Sequence, residues 1–148
     1  LVLRTDLSGD PTVTELLGRV RETALGAYAH QDLPFEQLVK ELQPERRPGR
    51  SPLVQVMFAV SSESAENPNL PGLTMEWASI DLELSKFEFS LILNAAGGEI
   101  KGSAVYRTEL FDNGGVARMV GDYVDVMAAI ARQPGKRLSE FTIPSGRA

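Results

Sequence analysis

Phe87-Glu88-Phe89-Ser90-Leu91-Ile92-Leu93-Asn94-Ala95-Ala96-Gly97-Gly98-Glu99-Ile100-Lys101-Gly102-Ser103-Ala104-Val105-Tyr106 reads as two strands joined by a tight turn. Phe87, Phe89, Leu91 and Leu93 alternate with Glu88, Ser90, Ile92 and Asn94, and a period of two puts alternate side chains on opposite faces of a sheet. Ala95-Ala96-Gly97-Gly98 supplies hairpin-turn chemistry. The returning strand, Glu99 to Thr108, carries Ile100, Gly102, Ala104 and Tyr106 on one face.

Upstream, Leu73, Met75 and Trp77 alternate, and Ile80, Leu82 and Leu84 alternate in the opposite phase. A bulge near Ala78-Ser79 reconciles the two. Leu53 to Val60 is nearly all apolar and rich in valine, the pattern of a strand buried on both faces. The polar segment Ser61 to Gly72, with Pro68 and Pro71, separates these strands. Two further short strands are expected at Leu1 to Arg4 and around Leu138, Phe141 and Ile143.

Helices flank this β-rich centre. Thr12-Val13-Thr14-Glu15 has the form of a capping box, and Val13, Leu16, Leu17, Val20, Ala24 and Tyr28 follow at helical spacing. A helix is therefore expected over about 13–29. Pro34 suits the first position of a second helix, with Phe35, Leu38, Val39 and Leu42 as its buried stripe. Pro44 and Pro48 end it and force an extended connection. Asp112 is a good N-cap for a third helix, whose stripe runs from Val116 through Met119, Tyr123 and Met127 to Ile130, and which Pro134-Gly135 stops. Gly114-Gly115 costs that helix about 1 kcal/mol each against alanine and is expected to leave its first turn loosely held. Three helices and five strands, the short segment around Leu138 apart, make an α+β or mixed α/β layer, with helices on one face of a largely antiparallel sheet.

The 148 residues, 43% hydrophobic and 24% charged, are enough for one domain with a core. Without cysteine there is no disulfide, thiolate catalysis or Cys-based metal site, which agrees with a cytoplasmic setting. A net charge of −5 argues against a nucleic-acid surface, which needs a concentrated basic face. No apolar run reaches the roughly 18 residues needed to span a bilayer, so no membrane association is expected. The chain opens Leu1-Val2-Leu3-Arg4, without Met or a signal-peptide pattern, and is expected to be an excerpt of a longer polypeptide.

Enzymatic constellations are missing. A Ser-His-Asp triad needs a histidine to carry the proton, and His30 is the sole histidine. One histidine and no cysteine leave only carboxylates as metal ligands, without calcium-loop spacing. Gly97-Gly98 and Gly114-Gly115 lack the lysine and spacing of phosphate loops. Each remaining feature has a structural reading beside a functional one. His30, between two helices, braces a loop or acts as a base. Arg46, Arg47 and Arg50 form a solvated cluster or meet an acidic partner. Ser90, in an apolar strand, is packing or lines a cavity.

Two stretches resemble a known family. His30-Gln31-Asp32-Leu33-Pro34-Phe35-Glu36 resembles the sixth core motif of the condensation domains of non-ribosomal peptide synthetases, which reads His or Asn, Gln-Asp, variable, Pro-Phe-Glu. Arg46-Arg47-Pro48-Gly49-Arg50-Ser51-Pro52-Leu53 is similar to the seventh, Arg-Asp-x-Ser-Arg-Asn-Pro-Leu. Arg46, Arg50, Pro52 and Leu53 match, whereas Arg47, Gly49 and Ser51 depart, and Arg47 reverses the charge of an acidic residue. Leu1 to Arg4 resembles the tail of the fifth motif, and the order of later features is similar too, so the resemblance covers nearly the whole chain.

The resemblance implies a fold of two lobes, each like chloramphenicol acetyltransferase, of which this chain (1–148) is the C-terminal one. It implies peptide-bond formation between aminoacyl and peptidyl thioesters held on phosphopantetheine arms of carrier domains, with no cofactor bound to this chain directly. It implies the N-terminal lobe, the carrier domains and an adjacent adenylation domain as partners. The family's catalytic His-His-x-x-x-Asp-Gly has no counterpart here, and His30 does not replace it. This lobe is thus expected to be inactive alone, contributing one tunnel wall and part of the rim. His30, Gln31, Asp32, Pro34, Phe35, Glu36, Arg46, Arg50, Pro52 and Leu53 are its motif residues, and Ser90 is a candidate tunnel-lining position. An epimerisation or cyclisation relative and a non-catalytic carrier-docking module are the alternatives. Cut from its partner lobe, the chain is expected to expose an apolar strip over 73–108 and to self-associate.

Overall fold

A computed structural model describes residues 1–45, 49–62, 72 and 85–142. It is mixed α/β and divides into two compact units, Leu1–Arg46 with Asp112–Ala148, and Arg47–Phe111.

The first unit holds the helices α1 (Val13–Tyr28), α2 (Phe35–Leu42) and α3 (Asn113–Arg132). The predicted capping box opens α1: Glu15 N donates to Thr12 Oγ1 at 3.3 Å, and Thr12 N donates to Glu15 Oε2 at 2.8 Å. The start of α1 is tied to the chain beyond α3. Val13 N donates to Lys136 O and Thr14 N to Pro134 O, each at 3.0 Å, while Leu138 N donates to Pro11 O at 3.1 Å. Asp10, at φ 48°, accepts from Ser139 N and Oγ at 2.8 and 2.7 Å. Between these bonds Pro11 and Val13 are fully buried. Backbone amides that water cannot reach must pair within the chain, so the bonds and the burial reinforce each other.

Three expectations are corrected in this unit. Leu1 to Arg4 is exposed and forms no strand, because a strand needs a ladder partner and none of the described strands pairs with it. Leu138–Glu140 is a single 3-10 turn rather than a strand, shaped by Arg137 N donating to Glu140 Oε2 at 2.7 Å. The first turn of α3 is held rather than loose: Gly115 N donates to Asp112 Oδ1 at 2.8 Å. A Cβ at Gly115 would stand 3.0 Å from Asp112 Oδ2, so the small residue lets the cap close.

Among the described residues the second unit holds a three-stranded sheet, β1 (Val56–Ser61), β2 (Phe89–Ala96) and β3 (Glu99–Tyr106), in that order. β2 and β3 form the predicted antiparallel hairpin, with Leu93 opposite Gly102 and Phe89 opposite Tyr106. Gly97 and Gly98, at φ 62° and 79°, take the two left-handed positions of a two-residue hairpin turn that matches the twist of the strands. β1 lies parallel to β2, with Val56 opposite Phe89, so among the described residues the sheet is mixed, with one parallel and one antiparallel pairing. Parallel neighbours need a long connection, and β1 and β2 are separated by 27 residues in sequence, 62–88.

Burial follows strand order. β2, flanked on both sides, buries Phe89, Ser90 and Leu91 in succession. β1, flanked by a described strand on one side alone, leaves Val56 63% exposed, with Phe58 and Val60 similar. It is therefore not the doubly buried strand that its composition suggests. Phe111 packs edge-on against Phe89 and Tyr106, with ring centroids 6.0 and 6.5 Å apart, which closes one end of the hairpin. The expected strand over 73–84 with its bulge, Arg46, Arg47, Pro48 and Ile143 lie outside the described residues, as does 63–71 of the polar loop. Among the described residues no helix is long and apolar enough to cross a membrane.

Candidate functional site

The segment His30 to Glu36 is the corner between α1 and α2. As α1 ends, His30 N donates to Ala27 O at 3.1 Å and Gln31 N to Tyr28 O at 3.3 Å. Leu33 N then donates to His30 O at 3.1 Å, and Pro34 caps α2 with an extended backbone. Proline fits because its fixed φ suits the helix entrance and it has no amide to leave unpaired. Every residue from His30 to Glu36 is exposed. Phe35 is 40% exposed, which corrects its expected place in a buried stripe; α2 contains no fully buried residue. The corner thus presents a mixed polar and aromatic surface. Among the described residues no cluster of three or more His, Asp or Glu side chains could hold a metal ion.

Arg50, Pro52 and Leu53 lie together in a loop of the other unit, over 49–55. Leu53 has φ 66°, and Val54 N donates to Pro52 O at 2.8 Å. This is a three-residue turn with a left-handed centre, a rare and strained form, and a branched residue in that region costs about 1–3 kcal/mol. Both ends of the loop are tied to the hairpin. Arg107 Nη1 donates to Gly49 O at 2.6 Å, and Arg50 Nε meets Glu88 Oε1 at 2.6 Å. Further along, Glu88 N donates to Gln55 O at 3.0 Å and Gln55 Nε2 to Ser51 O at 3.1 Å. The Glu88 side chain is 17% exposed, so the ion pair is less screened than one in open water.

Glu88 and Arg107 were missed as site residues by sequence reasoning. The available signal was a carboxylate between Phe87 and Phe89, at the entrance of an apolar strand. Ser90, 4% exposed, sits on β2 opposite Met57 and Val105.

Four carboxylates outside these segments are held below their ordinary values, three by groups within three residues and Asp10 by Ser139 across the first unit. Ser139, through its hydroxyl and then its amide, lowers Asp10. The Thr12 amide and hydroxyl lower Glu15, the Ser8 amide and hydroxyl lower Asp6, and the Gly115 amide lowers Asp112. Each bond favours the ionised form, so these groups brace the scaffold as anions.

A family model described as "Condensation domain" matches residues 1–148. The chain is 42% identical over 145 residues to a probable non-canonical nonribosomal peptide synthetase, CymA, of Salinispora arenicola, covering 94% of this chain and 2% of that protein. It is 43% identical over 148 residues to a linear gramicidin synthase of Brevibacillus parabrevis, covering 98% of this chain and 3% of that one. The chain therefore spans a small part of the length of these synthetases. Among solved structures, the X-domain from teicoplanin biosynthesis superposes with a TM-score of 0.85 at 30% identity, covering 95% of this chain and 33% of that chain. The X-domain in its complex with OxyB gives 0.82 at 32% identity, covering 95% of this chain and 32% of that one. With its sequence match end to end and its fold shared with these domains, the chain belongs to the condensation domain family of non-ribosomal peptide synthetases.

Proposed function

We propose that this chain is the C-terminal lobe of a condensation domain that joins carrier-bound aminoacyl and peptidyl thioesters. In that reaction the acceptor's amine attacks the donor's thioester carbon. A C–N bond forms, the C–S bond breaks, the donor's phosphopantetheine leaves as the thiol, and the amine loses a proton to a base. The base belongs to the N-terminal lobe. This lobe supplies a tunnel wall and a carrier-facing surface, which is positioning work. On this reading Arg50, Pro52 and Leu53, with Arg46, shape the wall near the substrate path. The His30 to Glu36 corner shapes the lobe's surface, and Ser90 is a tunnel-lining position. The partners are the N-terminal lobe, carrier domains and an adenylation domain, in the cytosol.

The observation that supports this reading is apolar surface left open on both units. Leu17, Leu25 and Leu42 on the helices, and Val56, Phe58 and Val60 on β1, are all more than half exposed. On β1 the three alternate residues share one face of the strand, the kind of apolar surface that a covering partner would bury. The test incubates the isolated chain, and separately its intact parent, with loaded donor and acceptor carriers. The parent is expected to form dipeptide and the isolated chain none. Dipeptide from the isolated chain, lost on His30→Ala, would overturn the assignment.

The likeness to an X-domain that was solved in complex with OxyB favours a second reading, a non-catalytic module that binds a protein partner. Under it the parent binds a carrier or another partner through this lobe without forming dipeptide.

A further inference from the structure

We infer that Glu88 and Arg107 are positioning residues that clamp the loop over 49–55 and hold its strained turn at Leu53 against the substrate path. The inference rests on the reading that this loop borders the tunnel.

The clamp closes at both ends of the loop. Arg107 takes the Gly49 carbonyl and the Glu88 carboxylate takes Arg50, while the Glu88 amide takes the Gln55 carbonyl. Arg107 N also donates to Glu88 O at 3.0 Å, so the two clamping residues are fixed to each other across the mouth of the hairpin. The left-handed Leu53 falls between the anchored ends. A free loop would relax such a residue to an ordinary conformation, because strain persists only where its surroundings over-determine it. Charge-assisted contacts from arginine are well suited to holding a backbone in this way. Leu53 and Pro52 are motif residues, whereas the residues that set their conformation are distant in sequence, one before β2 and one after β3. Release of the clamp would let Pro52 and Leu53 move by an ångström or more, which at a substrate wall can cost up to about 100-fold in efficiency.

The experiment compares the intact parent enzyme with its Glu88→Gln, Arg107→Lys and Glu88→Arg/Arg50→Glu variants. Amide hydrogen exchange over 49–55 is measured alongside KM and kcat with loaded carriers, and melting temperature reports folding. Glu88→Gln is expected to speed exchange over 49–55 by about tenfold or more, through local opening, with the β2–β3 amides unchanged. KM for the loaded acceptor carrier is expected to rise, and the charge swap to reverse both effects. Lost folded fraction alone would lower kcat and leave KM as it was. If Glu88→Gln does not fold, Arg107→Lys tests the Gly49 end of the same clamp. Unchanged exchange over 49–55 in a folded variant overturns the inference, as does faster exchange with unchanged KM. A wild-type parent that forms no dipeptide fails the proposed function instead, and the exchange measurement then decides the clamp by itself.

Discussion

Replacing Gly102 with alanine sets two effects of known sign against each other. Alanine restricts the unfolded chain more than glycine does, which at a compatible position stabilises by about 0.4–1 kcal/mol. Gly102 lies in mid-β3 opposite Leu93, and the site has no room. An added Cβ would stand 2.5 Å from Leu93 Cδ2 and 3.0 Å from Ile92 O, well inside the roughly 3.5–4.0 Å of a good carbon contact. Leu93 can rotate away, but it is half-buried on the central strand and rotation disturbs its packing. The carbonyl of Ile92 belongs to the ladder and can shift little. Overpacking of this kind costs about 1–3 kcal/mol. The steric effect wins, and Gly102→Ala is expected to destabilise by about 1–2 kcal/mol net. Urea melts give the value as a midpoint shift at constant slope. The Leu93→Ala background isolates the cause, since it removes the nearer clash, and the cost of Gly102→Ala should fall there by about 1 kcal/mol. A raised midpoint for Gly102→Ala alone would refute the reasoning. An undiminished cost in the Leu93→Ala background would move the cause to the backbone carbonyl.

Two further outcomes follow from the same structure. Phe35→Ala in the chain by itself should cost about 1–2 kcal/mol, because the ring is 40% exposed; a urea-melt loss of about 3–5 kcal/mol would show a fully buried ring. Asp10 and Glu15 are lowered from their ordinary 3.8 and 4.5 by hydrogen bonds from Ser139 and Thr12. The folded state therefore binds protons less readily than the unfolded one, so this stability is present above those values and is lost as pH falls through the lowered ones. The melting temperature should hold from neutrality down to about pH 5 and drop below about 4.5, less steeply in Ser139→Ala; a rise on acidification would contradict the hydrogen-bond assignment.

The elements that the sequence determines by itself are those whose physics is local. Thr12 and Glu15 satisfy each other's amides within one turn, Asp112 reaches an amide three residues on, and Gly97-Gly98 supplies two left-handed positions between alternating strands. Such signals need only a few consecutive residues, so α1, α2, α3 and the β2–β3 hairpin are legible from them. What tertiary structure decided is pairing and exposure. A valine-rich run reads the same whether it becomes a central or a flanking strand, so neither the parallel pairing of β1 nor its exposed face is written in Val56 to Ser61. Leu1 to Arg4 and Leu138 to Glu140 carry strand-like residues, but a strand exists only where a partner offers its ladder. The Arg50–Glu88 pair joins positions 38 residues apart, and Arg107 reaches Gly49 across 58. No local pattern encodes such contacts, because chain distant in sequence is brought together only once the sheet has set its register.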